Sequence, residues 1–170
     1  GEEHGWSMPS ACPVCGTAVT REEGEAAAYC PNGSCPAQQI RLIEHFASRG
    51  AMDIEGLGER MAVQLFQSGL VRDVAGIFEL TAGELLTLPG IKERSAANLL
   101  AGIEASKRRP LANLLFALGI RHVGFETARL LAEHLGSLGV LLEADAEGLQ
   151  EVEGIGPVVA GSIEAWSKQD

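Results

Sequence analysis

Four cysteines stand at Cys12, Cys15, Cys30 and Cys35, and the residues beyond position 35 hold none. Cys12-x2-Cys15 and Cys30-x4-Cys35 are two short-spaced pairs separated by 14 residues. Such an arrangement brings four thiolates to one point, which is what tetrahedral zinc requires. Two disulfides are the competing chemistry, but they belong to oxidising compartments, and no basic segment followed by an apolar run opens the chain. Zinc is therefore the expected occupant, and four protein ligands leave no open position, so one structural Zn2+ is expected. Pro13 and Gly16 suit a tight knuckle whose amides reach the sulfurs. No phosphate loop ending in Gly-Lys-Ser/Thr, no His-x-x-x-His and no Gly-x-Ser-x-Gly elbow is present, so no catalytic residue is nominated. His4, His45 and His134 stand singly and are expected at the surface or at a boundary.

A second pattern is periodic. The pentads Ile54-Glu55-Gly56-Leu57-Gly58, Leu88-Pro89-Gly90-Ile91-Lys92, Ile120-Arg121-His122-Val123-Gly124 and Val152-Glu153-Gly154-Ile155-Gly156 start 34, 32 and 32 residues apart. Each precedes an Ala-rich amphipathic segment. The intervening text repeats at an offset of 64, which maps Ala82, Leu85, Leu88, Ile91, Ala96 and Leu99 onto Ala146, Leu149, Val152, Ile155, Ala160 and Ile163. Thr81 and Asp145, both good helix caps, coincide as well. Four copies of one helix–turn–helix unit, arranged as two pairs, account for this. Repeats of this length also occur in helical solenoids, but no tetratricopeptide or ankyrin signature is present.

Glycine at the third and fifth pentad positions permits positive φ and clears the way for a close approach. The backbone amides of the turn and of the following helix start then suit a phosphate oxygen, with the helix dipole behind them, and no base is read. The bland alternative is that the glycines only close helical turns. The expected DNA contacts are Gly56, Gly58 and Arg60; Gly90, Lys92 and Arg94; Arg121, His122, Gly124 and Arg129; and Gly154 and Gly156.

Charge bears on this reading. The 170 residues carry a formal net charge of −10, which taken whole argues against nucleic acid. Residues 91–130 nevertheless hold a local +4, and the rest of the chain −14. The second and third hairpins are accordingly expected to grip hardest, the first and fourth being flanked by Asp53, Glu55 and Glu59 and by Glu151 and Glu153. Lys107-Arg108-Arg109 reads equally as a basic contact or as a cap on a helix C-terminus. Aromatic residues are only 5 % against 46 % hydrophobic overall, which favours short helices over a β-sandwich and excludes wholesale disorder. No uninterrupted run of ~18 apolar residues exists, so no membrane span or membrane partner is expected, and the location is expected to be cytoplasmic.

The expected architecture is mostly α: a small four-cysteine zinc finger over 1–36, a connecting helix over 37–51, and an all-α body of four helix–hairpin–helix motifs in two pseudo-repeated pairs over 52–110 and 111–170. Pro36 opens the connecting helix, with Ile40, Ile43, Phe46 and Ala47 at helical spacing up to Gly50.

The finger CPVCG…CPNGSCPAQ, followed by HFASRGAMDIEGLG, LPGIKERSAANLL, FALGIRHVG and VEGIGPVVA, resembles the C-terminal part of the bacterial NAD-dependent DNA ligases over about residues 10–168. In that resemblance the four cysteines match the zinc ligands and the pentads match the hairpins. His122 departs from the glycine pattern. The resemblance implies a parent enzyme that seals 5′-phosphate/3′-hydroxyl nicks in replication and repair. It implies nicked duplex DNA and the remaining ligase domains of the same chain as partners, with a monomer as the assembly. NAD and Mg2+ would act in other parts of that parent. None of Lys92, Lys107 and Lys168 is followed by x-Asp-Gly, so the adenylated lysine is not expected here. Two other readings are the hairpin region of a different repair protein, which the finger disfavours, and a protein-interaction scaffold, which salt-dependent DNA binding would exclude. Charge reversal at Lys92 or Arg121 is expected to weaken duplex binding more than reversal at Lys168; equal effects in a titration would refute the ranking.

Overall fold

A proline at the first position of a helix presets φ and gives up only an amide that has no helical partner there. Pro36 starts α1 (Pro36–Ala47) in this way, behind an extended Cys35. In the computed structural model, which describes residues 8–21, 24 and 26–168, α1 is the first helix. It is followed by α2 (Glu59–Gln67), a 3-10 helix (Ala75–Glu79), α3 (Ala82–Leu85) and α4 (Glu93–Ser106). The second half holds α5 (Leu111–Ala117), α6 (Phe125–Leu135), α7 (Leu138–Glu143), α8 (Ala146–Leu149) and α9 (Pro157–Ser167). Extended pairing among the described residues amounts to isolated antiparallel bridges, Ala11 with Ala18 and Thr20 with Tyr29, both in the cysteine-bearing segment. His4 lies outside the described residues.

The apolar stripes close into two clusters. One includes Ile43, Phe46, Leu65, Ile77, Leu85 and Leu99; the other includes Leu115, Leu131, Leu141, Leu149 and Ile163. The repeat offset of 64 lands core on core, since Leu85 and Leu149, Ala96 and Ala160, and Leu99 and Ile163 are all buried. The helix starts repeat too. Thr81 Oγ1 accepts from the Glu84 amide at 3.3 Å while the Glu84 carboxylate accepts from the Thr81 amide at 2.9 Å. Asp145 accepts from the Gly148 amide at 2.8 Å. Caps of this kind each stabilise by about 1 kcal/mol. Ile43, Phe46 and Ala47 place α1 in the first cluster, so the connecting helix is part of that core and not a tether.

The two clusters meet at α5, where Ala117 belongs to the first, Leu115 to the second, and Phe116 packs against both. Polar bonds fasten the same junction. Carbonyls past the end of a helix have no intrahelical donors and must find others. Arg109 Nε and Nη2 donate to the Ala51 carbonyl at 3.2 and 3.1 Å, and Nη2 also donates to that of Arg49 at 3.3 Å. The buried Asn113 donates Nδ2 to the carbonyls of Gly50 and Ala51 at 3.0 and 3.2 Å. His45 Nε2 donates to the Phe116 carbonyl at 2.9 Å, and its ring meets the Phe116 ring edge-on at 4.8 Å. Arg109, one third of a basic triplet in sequence, therefore ties the connection between α4 and α5 to the exit of α1. Of its neighbours, Lys107 pairs with Glu104 at 2.6 Å.

Gly119 ends α5 with φ +65, and a Cβ there would lie 2.8 Å from Leu42 Cδ1 of α1. Gly161, inside α9, faces open space. Gly119→Ala is expected to destabilise by about 1–2 kcal/mol, the left-handed penalty for a residue with a Cβ. Gly161→Ala is expected to stabilise by about 0.5–1 kcal/mol. Urea unfolding of the two variants reads both signs.

Candidate nucleic-acid interface and metal centre

All four pentads fold into the same turn. The amide of the fourth residue donates to the carbonyl of the first: Leu57 to Ile54 at 3.2 Å, Ile91 to Leu88 at 3.2 Å, Val123 to Ile120 at 3.0 Å and Ile155 to Val152 at 3.0 Å. The third residue is left-handed, with φ +90 at Gly56, +80 at Gly90, +64 at His122 and +91 at Gly154. An i to i+3 bond with positive φ at i+2 is the signature of a type II β-turn. The first residue of each pentad is buried, which anchors the turn, while Gly56, Gly90, His122 and Gly154 are exposed at its tip. His122 thus takes a backbone conformation that the other three turns give to glycine.

The fifth residue is the N-cap of the following helix. Gly58, Lys92, Gly124 and Gly156 open α2, α4, α6 and α9 from extended backbone. Four positions further on, Ala62, Ala96, Ala128 and Ala160 are buried, which lets each helix start sit close to its core. The first amides of a helix have no internal acceptors and carry the positive end of its dipole. A capping Ser, Thr or Asp would occupy one of them, and a glycine leaves them open. Gly58, Gly124 and Gly156 have φ of −91, −81 and −86, and a Cβ on any of them would meet nothing within 4 Å. Neither conformation nor packing demands glycine at these three positions. At the second hairpin the Lys92 amide is already bonded to Ser95 Oγ at 2.9 Å.

The hairpins work in pairs. Gln64 of α2 donates Nε2 to the Pro89 carbonyl at 3.2 Å, so the first and second turns flank a cleft of about 430 Å3 that Gly58, Arg60 and Gly90 help to line. In the second pair the equivalent position of α6, Leu130, reaches the fourth turn, its Cδ1 lying 3.2 Å from where a Gly154 Cβ would be. Side-chain charge is not shared equally. Arg60, Lys92 and Arg94 are exposed and make no ion pair among the described residues. Arg129 is held by Glu126 at 3.1 Å and Glu133 at 2.6 Å, which keep its pKa above the ordinary arginine value. Arg121 is half-buried, with its guanidinium over the Tyr29 ring.

The cysteines converge as their spacing suggests. The Sγ atoms of Cys12, Cys15, Cys30 and Cys35 all lie within 4.8 Å of one another, with Cys12–Cys35 at 3.9 Å and Cys15–Cys30 at 3.5 Å. A tetrahedral site with Zn–S bonds of about 2.3 Å has edges of about 3.8 Å, so the four sulfurs fit a zinc ion. The knuckle turns at Gly16, φ +73, whose amide donates to the Cys12 carbonyl at 2.9 Å. Thr17, which carried no signal in the sequence beyond following Cys-Gly, sits 3.3 Å from Cys15 Sγ. Hydrogen bonds from the Thr17 hydroxyl and amide lower the Cys15 thiol to about 6. Cys30 goes the other way: a backbone bond at Asn32 favours its thiolate, but desolvation and the crowding sulfurs of Cys15 and Cys12 raise it to about 11. Four adjacent thiolates repel one another, and a divalent cation at their centre removes that repulsion.

The NAD-dependent DNA ligase C4 zinc finger domain matches residues 11–37. The SAM-like helix-hairpin-helix tandem matches residues 49–105, and the helix-hairpin-helix motif residues 113–170. A DNA ligase of Rubrobacter xylanophilus is 52 % identical over 163 residues, which cover 96 % of this chain and 24 % of that protein. Over nearly its whole length the chain corresponds to the zinc-finger and helix–hairpin–helix region of NAD-dependent DNA ligases. DNA ligases of Chloroflexus aurantiacus and Gemmatimonas aurantiaca are 52 % identical over 164 residues and 45 % over 166, covering 23 % and 24 % of their lengths. The chain spans about a quarter of the length of the curated relatives it matches. Among its described residues no helix is long and apolar enough to cross a membrane.

The metal centre makes a direct expectation. The chain should hold one zinc, measured by atomic absorption, and removing it should dissolve the structure of residues 10–36. Thr17→Val should keep that stoichiometry and weaken zinc affinity about tenfold, the low end for losing a hydrogen bond to a metal ligand.

Proposed function

We propose that this region is the DNA-clamping part of a ligase that seals 5′-phosphate/3′-hydroxyl nicks with NAD during replication and repair in the bacterial cytoplasm. It binds nicked duplex as a monomer, without reading sequence, through hairpin amides on backbone phosphates. The two hairpins of a pair sit side by side and reach phosphates across the minor groove, while Arg60, Lys92 and Arg94 add charge at the first two turns. The adenylated lysine, NAD and Mg2+ belong to other parts of the enzyme.

The observation that carries this reading is glycine at the N-caps of α2, α6 and α9. These helices would be slightly more stable with Ser or Asp at the same place, by a few tenths of a kcal/mol. What glycine supplies there is unobstructed approach to open amides, which matters only if a ligand comes that close. Phosphate is the fitting ligand, because the donors are fixed, neutral and unselective for base. The overall charge of −10 is compatible with this, since backbone dipoles do the local work.

Fluorescence anisotropy of labelled nicked duplex at two salt concentrations tests the reading. Binding should be indifferent to sequence and fall with salt, by about 0.9 in the logarithmic slope per phosphate engaged. Gly124→Ser should leave the thermal midpoint unchanged or higher while weakening binding; unchanged binding at equal stability would leave the turns as mere helix connections.

A further inference from the structure

The second residue of each pentad is Glu55, Pro89, Arg121 or Glu153, and of these Arg121 alone is half-buried while the others are exposed. Its guanidinium carbon lies 4.2 Å from the centroid of the Tyr29 ring. Tyr29 exchanges both backbone hydrogen bonds with Thr20, at 2.9 and 2.8 Å, and immediately precedes the zinc-site residue Cys30. Around this contact the finger abuts the entrance to the third hairpin and α9, across a crevice lined by Tyr29, Cys30, Gly119, Arg121, Gly161 and Trp166. From the other side, Gln38 of α1 donates Nε2 to the Cys30 carbonyl. The third turn is also the one with a need for outside support. His122 holds φ +64 where the other turns have glycine, and left-handed backbone in a residue with a Cβ persists only when its surroundings enforce it.

We propose that Arg121 is a positioning residue: stacked on Tyr29, it couples the metal-organised finger to the third hairpin and holds that strained turn closed. Zinc then has a second task beyond folding the finger, which is to keep the amides of the third turn aimed outward. The guanidinium is engaged with the ring face and acts on DNA through the turn it braces. The DNA part of this inference rests on the phosphate-binding reading above; the coupling itself does not.

Amide hydrogen exchange in the zinc-loaded 170-residue chain, without DNA, tests the coupling. The Val123 amide closes the third turn and the Ile155 amide closes the fourth, each at 3.0 Å, so the second is an internal control. Tyr29→Ala and Arg121→Gln should each speed Val123 exchange about two- to fivefold, the range for a lost exposed cation–π contact, and leave Ile155 unchanged. Tyr29→Phe, which keeps a ring face, should leave both unchanged. Equal Val123 and Ile155 rates in Tyr29→Ala, with zinc still bound, would overturn the proposal; if Tyr29→Ala loses its zinc, Arg121→Gln decides by the same pair of amides. In anisotropy with nicked duplex, each single variant should weaken binding and the double variant should be no weaker than the worse single, with the salt slope unchanged. A slope reduced by about one in Arg121→Gln, with Tyr29→Ala silent, would make Arg121 a phosphate ligand and overturn the proposal. A chain that binds no DNA at all would sink the clamp while the exchange rates still decide the coupling.

Discussion

The hydrogen bond from the fourth pentad residue to the first is the constraint from which the rest of the body follows. It closes a turn of four residues, and the type II form of that turn places its third residue in the left-handed region. It also delivers the chain to the next helix from extended backbone, so that the first helical amides face out of the turn. Buried residues at the pentad's first position fix the whole assembly to the core. A buried alanine four residues past each N-cap lets the helix approach that core without displacing the turn. Donor direction, turn closure and packing are thus set by one short repeat.

On a polypeptide of −10 charge, the attraction for phosphate proposed above has to come from local fields. Backbone amides at helix starts provide such fields without side chains, and they need no counter-ion in the free protein. The exposed side-chain cations differ in how committed they are. Lys92 and Arg94 stand free of ion pairs among the described residues, whereas Arg129 is already bracketed by two glutamates. An arginine held at both ends gives up existing partners to meet a phosphate. Proximity in sequence to a hairpin therefore does not tell which basic residues stand free of ion pairs.

The two halves are joined through shared elements rather than by a linker. α5 supplies side chains to both clusters, and the carbonyls beyond α1 are satisfied by Arg109 and Asn113 from the start of the second half. The carbonyl of the buried Ala51, which takes bonds from both, is an acceptor that is expensive to leave unmade, so the junction resists opening. The finger is tied in at its other end, by α1 starting on Cys35 and by Tyr29 against Arg121. Relative placement of finger, first pair and second pair thus depends on a handful of contacts far apart in sequence.

Everything carried by local spacing was legible before the fold was known. The four cysteines, the pentads, the caps at Thr81 and Asp145 and the offset of 64 were legible because metal ligation, turn geometry and helix periodicity are written in neighbouring residues. Even the oddity of His122 was visible as a departure from glycine. Which side chains are free to act depends instead on contacts made across the fold. Arg109 in a basic triplet, His45 standing alone and Arg121 in a hairpin gave no sign of their partners, because those partners lie 58, 71 and 92 residues away. An arginine reads as charge in a sequence, but an orphaned carbonyl or an aromatic face elsewhere in the fold determines whether that charge points to a ligand or to the protein's own frame.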